Sequence, residues 1–154
     1  MITKKDLTII SHLRKDGRKK ITDISKEMNI PVTTIYDKVR VHNQKFVNKH
    51  VALLDFAKLG LHTKANIAIK CDRDAREDLQ KFLFNHPNVN SLSKTNFSSD
   101  FLAEVVFKSM GELQNFADSI EKNYRVGNLQ IFNTIEELKK EDFLTKEEHF
   151  DLVE

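Results

Sequence analysis

Residues 21–42 read ITDISKEMNIPVTTIYDKVRVH, and this stretch predicts two short helices joined by a tight turn. Thr22 is a residue type that caps the start of a helix. Asn29 favours the left-handed conformation that ends a helix, and Pro31 follows it as a further stop signal. The next helix is expected to begin near Thr33. Two helices in this order form a helix-turn-helix pattern.

The second helix of this pair is predicted to have a buried face and a polar face. Its buried face, from the spacing i, i+4 and i+7, consists of Ile35, Val39 and His42. A polar and basic free face is typical of DNA recognition, because the start of such a helix lies against base edges while Lys and Arg neutralise phosphates. The candidate DNA-binding residues are Arg18, Lys19, Lys20, Thr33, Thr34, Tyr36, Lys38 and Arg40.

A further helix is predicted before this pair. Thr3 followed by Asp6 has the pattern of a capping box, and Gly17 is expected to end the helix. Its apolar face is predicted to consist of Leu7, Ile10 and Leu13. The first domain, residues 1–46, therefore holds three helices.

The charge of the chain is unevenly distributed. The whole sequence has 25 Lys and Arg and 23 Asp and Glu, a net charge of +2. Residues 1–50 have 12 basic and 5 acidic side chains, a balance of +7, and residues 51–154 have 13 and 18, a balance of −5. This asymmetry favours binding of a polyanion by the basic part, although a solvated basic surface is the alternative interpretation.

Residues 62–135 predict a second domain that contains both strands and helices. Ala65, Ile67, Ile69 and Cys71 alternate with polar residues, which is the period of a strand with one buried face. The predicted order is strand 65–71, a helix from 74 to Pro87, strands 89–95 and 101–107, a helix from 110, and strand 129–134. This duplicated βαβ order is typical of a ferredoxin-like sandwich.

The open face of that sheet is predicted to carry apolar residues. Both helices of a ferredoxin-like sandwich lie on one face of the sheet, so the other face is left uncovered. Leu102, Val106 and Phe132 are expected there. An apolar open face indicates dimerisation.

Two segments flank this domain. Residues 47–61 are interpreted as a connector or hinge, because residues 46–56 favour β structure and residues 57–60 form a turn. Residues 136–154 are acidic, and we expect a helix through about Phe143 followed by a solvated tail.

Several functional classes are not supported by the sequence. The single cysteine, Cys71, excludes an internal disulfide and a Cys-x-x-Cys motif, and it indicates a reducing compartment. The six histidines lack metal-ligand spacing, and no Gly-rich nucleotide loop is present. No apolar run approaches the roughly 18 residues of a membrane span. We therefore predict a cytoplasmic protein, associated with the nucleoid, that is not an enzyme and has no metal or cofactor.

The order of these features resembles the Lrp/AsnC (feast/famine) transcription regulators over residues 3 to 140. The resemblance rests on LRKDGR at 13–18, LDFAKLG at 54–60, and the βαββαβ domain that follows. It implies an α+β fold in which a winged helix-turn-helix is joined by a β connector to a ferredoxin-like, RAM-type domain. It also implies homodimers, commonly assembled to octamers, that bind effectors such as amino acids.

The same resemblance implies an effector loop between the second and third strands. Its candidate effector-binding residues are Asn96, Ser98, Ser99 and Asp100. The family usually has Gly three residues before the Asp, but this chain has Phe97, whose ring could fill the ligand space.

The sequence therefore predicts a DNA-binding transcriptional regulator that reads operator half-sites on double-stranded DNA as a homodimer or larger assembly. One alternative is an architectural, nucleoid-like protein with little sequence preference. Another is a ferredoxin-like module, sensory or enzymatic, whose amino-terminal helices contact other proteins.

Overall fold

Three helices and a carboxy-terminal segment form the first of two units in the computed structural model, which describes residues 2–153. The first unit contains residues up to Leu53 and the segment that begins at Leu138, and the second contains Leu54–Glu137. The helices of the first unit are α1 (Lys4–Lys15), α2 (Ile21–Met28) and α3 (Val32–Lys45).

The ends of these helices follow local rules, with one exception. The capping box at α1 is confirmed, because the Thr3 hydroxyl accepts from the Asp6 amide at 3.2 Å and the Asp6 carboxylate accepts from the Thr3 amide at 3.0 Å. Asn29 ends α2 at φ 52°, as predicted. The prediction for Thr22 is wrong: the N-cap lies two residues earlier, at Lys20, so that α2 begins at Ile21, and no side chain caps the helix.

The core of the first unit is small and apolar. Ile9, Ile24 and Ile35 are fully buried and bring one side chain from each helix together. Ile10 and Leu13, predicted for the buried face of α1, are only partly buried. His42 is buried on α3 and Val39 is partly buried, as the helical spacing predicted.

No strand forms in the described residues of this unit or in residues 47–61. The predicted β connector is irregular up to a 3₁₀ turn at Ala57–Leu59, and Gly60 closes that turn at φ 82°. A β-favouring composition does not make a strand unless another strand accepts its backbone hydrogen bonds. The wing of the predicted winged helix-turn-helix is accordingly not formed as a strand.

The second unit is an antiparallel sheet with two helices on one face. Its elements are β1 (Thr63–Cys71), α4 (Arg76–Asn85), β2 (Val89–Lys94), β3 (Phe101–Phe107), α5 (Met110–Asn123) and β4 (Val126–Asn133). The strand order is β2-β3-β1-β4. Buried residues of both helices pack against the same face of β1 and β3 in one hydrophobic core. The ferredoxin-like prediction is confirmed.

The open face of this sheet differs from the prediction at one position. Leu102 and Phe132 are exposed there, but Val106 is buried. Lys64 lies opposite Val106 and forms an ion pair at 3.2 Å with Glu104, on the same face, so these long side chains flank Val106.

The carboxy-terminal segment is not the predicted helix and solvated tail. Residues 136–143 form no helix, and a 3₁₀ turn occupies Glu147–Leu152. Glu141 and Leu144 have φ of 52° and 61°, in the left-handed region that interrupts a helix. The turn packs against α1, where Phe150 is buried. No helix within residues 2–153 combines the length and apolar character needed to cross a membrane.

Candidate functional site

The exposed face of α3 carries four of the eight candidate DNA-binding residues. Thr33, Thr34, Tyr36 and Arg40 are all exposed, and Ile35 between them points into the core. Arg40 lies 3.8 Å from the carboxylate of Asp37, one turn earlier on the same surface. This face offers two hydroxyls, a phenol and a guanidinium to a ligand.

The three residues of the basic tract before α2, Arg18, Lys19 and Lys20, differ in their exposure and contacts. Arg18 and Lys20 are exposed. Lys19 is partly buried: its Nζ lies 2.7 Å from Glu27 Oε2 and 3.1 Å from His12 Nδ1. Burial lowers the pKa of His12, and the neighbouring Lys19 charge lowers it further. The His12 ring is therefore neutral near pH 7 and can accept from Lys19.

Lys38 points to α1 instead of to the exposed face of α3. Its Nζ lies 2.7 Å from Asp6 Oδ1, and His42 Nε2 lies 3.1 Å from the same oxygen. The side chains of Asp6, Lys38 and His42 are 13%, 33% and 4% exposed. We refer to these three residues as the Asp6 cluster.

Asp6 is ionised within this cluster. Burial raises the pKa of Asp6, but hydrogen bonds from Lys38 and Thr3 outweigh that effect and hold the pKa well below its usual range. The sequence revealed Asp6 only as a helix cap. Its link to α3 spans more than 30 residues and leaves no local pattern.

The predicted effector loop joins β2 to β3, and Asp100 is fixed at its end. The Asp100 carboxylate accepts from the Cys71 amide at 3.0 Å and lies 2.8 Å from Arg76 and 3.3 Å from Lys70. Burial raises the pKa of Asp100, but the Cys71 amide, Lys70 and Arg76 together hold it below its usual value. The sequence reading missed Lys70 and Arg76, because β1 and α4 contribute them.

The other loop residues are more exposed than Asp100. The Ser99 and Thr95 hydroxyls lie 2.8 Å apart, and Asn96 and Ser98 are exposed. Phe97 has φ 63° and is 90% exposed, so its ring fills no space within the described chain. A groove of about 310 Å³ lies beside the loop, lined by Arg76, Glu77, Gln80, Lys94, Thr95, Asp100 and Phe101.

Comparison with known families decides the classification. Residues 64–143 match the family model described as the Lrp/AsnC ligand binding domain. The chain belongs to the Lrp/AsnC family. Among its curated relatives, an HTH-type transcriptional regulator of Pyrococcus horikoshii is 28% identical over 134 residues, which cover 84% of this chain and 81% of the relative. The HTH-type transcriptional regulator FL11 of Pyrococcus furiosus is 27% identical over 116 residues, 75% and 77% of the two chains.

Solved structures extend the Lrp/AsnC likeness to the whole fold. A transcriptional regulator of Neisseria meningitidis in complex with L-Met superimposes with a TM-score of 0.83 at 22% identity, covering 91% of this chain and 94% of that one. LrpC of B. subtilis has a TM-score of 0.81 at 15% identity, with coverages of 90% and 98%. The fold of this Lrp/AsnC protein is therefore similar to the folds of those two proteins.

Proposed function

We propose that this Lrp/AsnC protein is a transcriptional regulator that reads operator half-sites with α3. The observation that carries the proposal is the exposed surface of Thr33, Thr34, Tyr36 and Arg40, opposite the buried Ile35. The threonine hydroxyls and methyls suit base edges at the start of a recognition helix, and Arg40 suits guanine or phosphate.

We assign the part of the DNA affinity that does not depend on the DNA sequence to the basic tract before α2. Arg18 and Lys20 are exposed and would neutralise phosphates beside the groove. Lys19, which is held by Glu27, would contribute charge more than a direct contact. The same electrostatic attraction would keep the protein associated with the nucleoid.

Two copies of the chain would read two half-sites. The exposed Leu102 and Phe132 on the open sheet face support self-association. Half-sites would then lie about one helical turn, or a multiple of it, apart. A larger ring, such as an octamer, would bring several such pairs onto one DNA.

A small effector, such as an amino acid, would bind at the loop of Asn96, Ser98, Ser99 and Asp100. The groove beside this loop and the L-Met complex of the Neisseria regulator support this assignment. Because Asp100 is already held by three donors, we expect it to shape the loop more than to bind the effector directly. A thermal-shift screen of the amino acids, beginning with L-methionine, tests it: a ligand of the folded state raises the melting temperature.

The experiment that tests DNA reading compares a duplex from the protein's own upstream region with a random duplex of equal length. At about 50 mM salt we expect tighter binding to the upstream duplex by about 10³-fold, as for specific binders. A ratio below about 10 would favour the architectural alternative, and no complex with either duplex would contradict DNA binding.

Two double variants separate the proposed roles within this assay. Thr33→Ala with Thr34→Ala should lower the specificity ratio at an unchanged salt dependence. Arg18→Ala with Lys20→Ala should weaken binding to both duplexes and reduce the slope of log affinity against log salt by about 0.9 for each lost phosphate contact. Lys122→Ala, in an exposed position of the second unit, is the control.

A further inference from the structure

The Asp6 cluster joins α1 to α3 through one carboxylate oxygen. Lys38 and His42 are one helical turn apart on α3, and both contact Asp6 Oδ1, at 2.7 and 3.1 Å. Asp6 is itself fixed in the first turn of α1, because its carboxylate also accepts from the Thr3 amide and the Thr3 hydroxyl. The oxygen that receives Lys38 and His42 is therefore held in place by α1.

The apolar core of this unit also joins α1 to α3, and apolar contacts are less directional than hydrogen bonds. Ile9, Ile24 and Ile35 exclude water, but apolar packing by itself tolerates small rotations and shifts of a helix. A charge-assisted hydrogen bond is directional, and two of them one turn apart restrain both the rotation and the axial position of α3. A rotation of α3 would move Thr33 and Thr34 away from their base edges.

We infer that Asp6 is a positioning residue for operator recognition, and that Lys38 acts through Asp6 instead of contacting phosphate. The inference rests on the proposed reading of DNA by α3. It assigns sequence discrimination in part to an acidic residue on α1, which itself contacts no base.

Replacement of the Asp6 carboxylate is expected to have two opposite effects on DNA affinity. Removing the carboxylate charge makes the DNA-binding unit more basic, which strengthens attraction to any DNA. Loss of the restraint on α3 weakens binding only where base edges are read. A general loss of folding would weaken binding to both kinds of DNA, so the two explanations are distinguishable.

The test measures the affinity of Asp6→Asn, Lys38→Met and Lys38→Arg for the upstream and random duplexes at several salt concentrations. Asp6→Asn should bind the upstream duplex about tenfold more weakly, the equivalent of about 1.4 kcal/mol, and the random duplex no more weakly than the wild type. Lys38→Met should lower the specificity ratio with an unchanged salt slope. Lys38→Arg, which can still reach Asp6, should restore the ratio.

Matched control variants separate the effect of the Asp6 cluster from the effect of a change in charge alone. Asp23→Asn on α2 makes the same change of charge, and Lys45→Met removes an exposed lysine of α3; both should leave the specificity ratio unchanged. Far-UV circular dichroism establishes that each variant is folded at the assay temperature. If Asp6→Asn does not fold, the comparison of Lys38→Met with Lys38→Arg decides the question.

Two results would overturn the inference. One is a specificity ratio for folded Asp6→Asn equal to that of the wild type. The other is a fall of about 0.9 in the salt slope of Lys38→Met, which is the signature of a lost phosphate contact. If the wild type itself does not distinguish the two duplexes, the proposed function is overturned as well. That outcome differs from the two results above, which both require a wild type that discriminates.

Discussion

Single residues in this protein have roles that depend on which distant groups they meet. Asp6 caps α1 through Thr3 and at the same time holds Lys38 and His42 of α3. Asp100 has a comparable role in the second unit, where it gathers an amide and two cations. Each is an ionised carboxylate whose partners favour the charged form.

Asp6 makes the stability of the first unit sensitive to acid. Because the pKa of Asp6 is lower in the folded chain than in the unfolded chain, its contribution is fully present above the unfolded value. That contribution is lost as the pH falls from about 5 toward 2. Asp6→Asn should therefore be less stable than the wild type at pH 7, and the gap in melting temperature should shrink across that range. A gap that stays constant down to pH 2 would contradict this prediction.

Phe97 adopts a backbone conformation that favours glycine. At φ 63° a side chain costs about 1 kcal/mol, and the exposed ring makes little packing that would offset this cost. We expect Phe97→Gly to raise the free energy of unfolding of the second unit by roughly 0.5 to 1 kcal/mol, measured by urea denaturation. Phe97→Ala, which keeps the strain and removes the ring, should change it by less than about 0.5 kcal/mol. A loss of stability in Phe97→Gly would show that the ring packs in solution.

At the scale of elements, the carboxy-terminal segment is a fourth component of the helical unit. The Arg14 guanidinium on α1 donates to the carbonyl oxygens of Glu141 and Phe143 and pairs with the Glu141 carboxylate, each at 3.0 Å. These contacts satisfy two backbone carbonyl groups of the segment without requiring a helix. The part of the segment before the 3₁₀ turn at Glu147–Leu152 is consequently held on the unit without a helix.

Phe150 anchors this segment on the unit. Its side chain is 5% exposed, so Phe150→Ala removes a buried ring and should lower the free energy of unfolding by about 3 kcal/mol. Leu152→Ala is the matched control, because Leu152 is 72% exposed and should change stability by less than about 0.5 kcal/mol. Hydrogen exchange of the α1 amides, recorded in the folded protein, measures the local stability of α1 in both variants. Equal exchange in the two variants would mean that the segment is not docked.

At the scale of the whole molecule, the two folded units differ less in net charge than residues 1–50 and 51–154 do. The first unit includes the acidic segment and contains 15 Lys and Arg against 11 Asp and Glu, a balance of +4. The second contains 10 against 12, a balance of −2. The acids of the carboxy terminus therefore reduce the positive charge of the proposed DNA-binding unit.

Neutralising these acids should strengthen binding to any DNA. Glu147 lines a groove with Lys5 and Lys15 of α1, and Glu148 follows it on the exposed surface. Glu147→Gln with Glu148→Gln should raise affinity for a random duplex on the order of threefold at low salt, and the gain should vanish at high salt. Glu77→Gln with Glu121→Gln, on the second unit, should have a smaller effect. Equal gains from both pairs would show that only total charge matters.

Much of the fold was predictable because its signals are local. Alternation over 101–107 predicted β3 at its observed bounds, and Asn29 predicted the end of α2. Thr3 with Asp6 predicted the cap of α1. In each case the residues that determine the structure lie within a few positions of one another, so periodicity and capping rules suffice. The exposed residues of α3 follow from the same helical spacing.

The tertiary structure decided which partner each charged or apolar group has. Nothing within a few residues of Lys38 distinguishes a phosphate contact from an ion pair with Asp6, and nothing near Phe150 reveals α1 as its partner. Composition predicted a β connector, but a strand also needs a neighbour to accept its hydrogen bonds. For α1 to α5 and β1 to β4, the sequence by itself determined the kind of element and the order along the chain through short-range rules. The folded chain alone decided the long-range pairs, because they depend on distances between residues that the sequence separates.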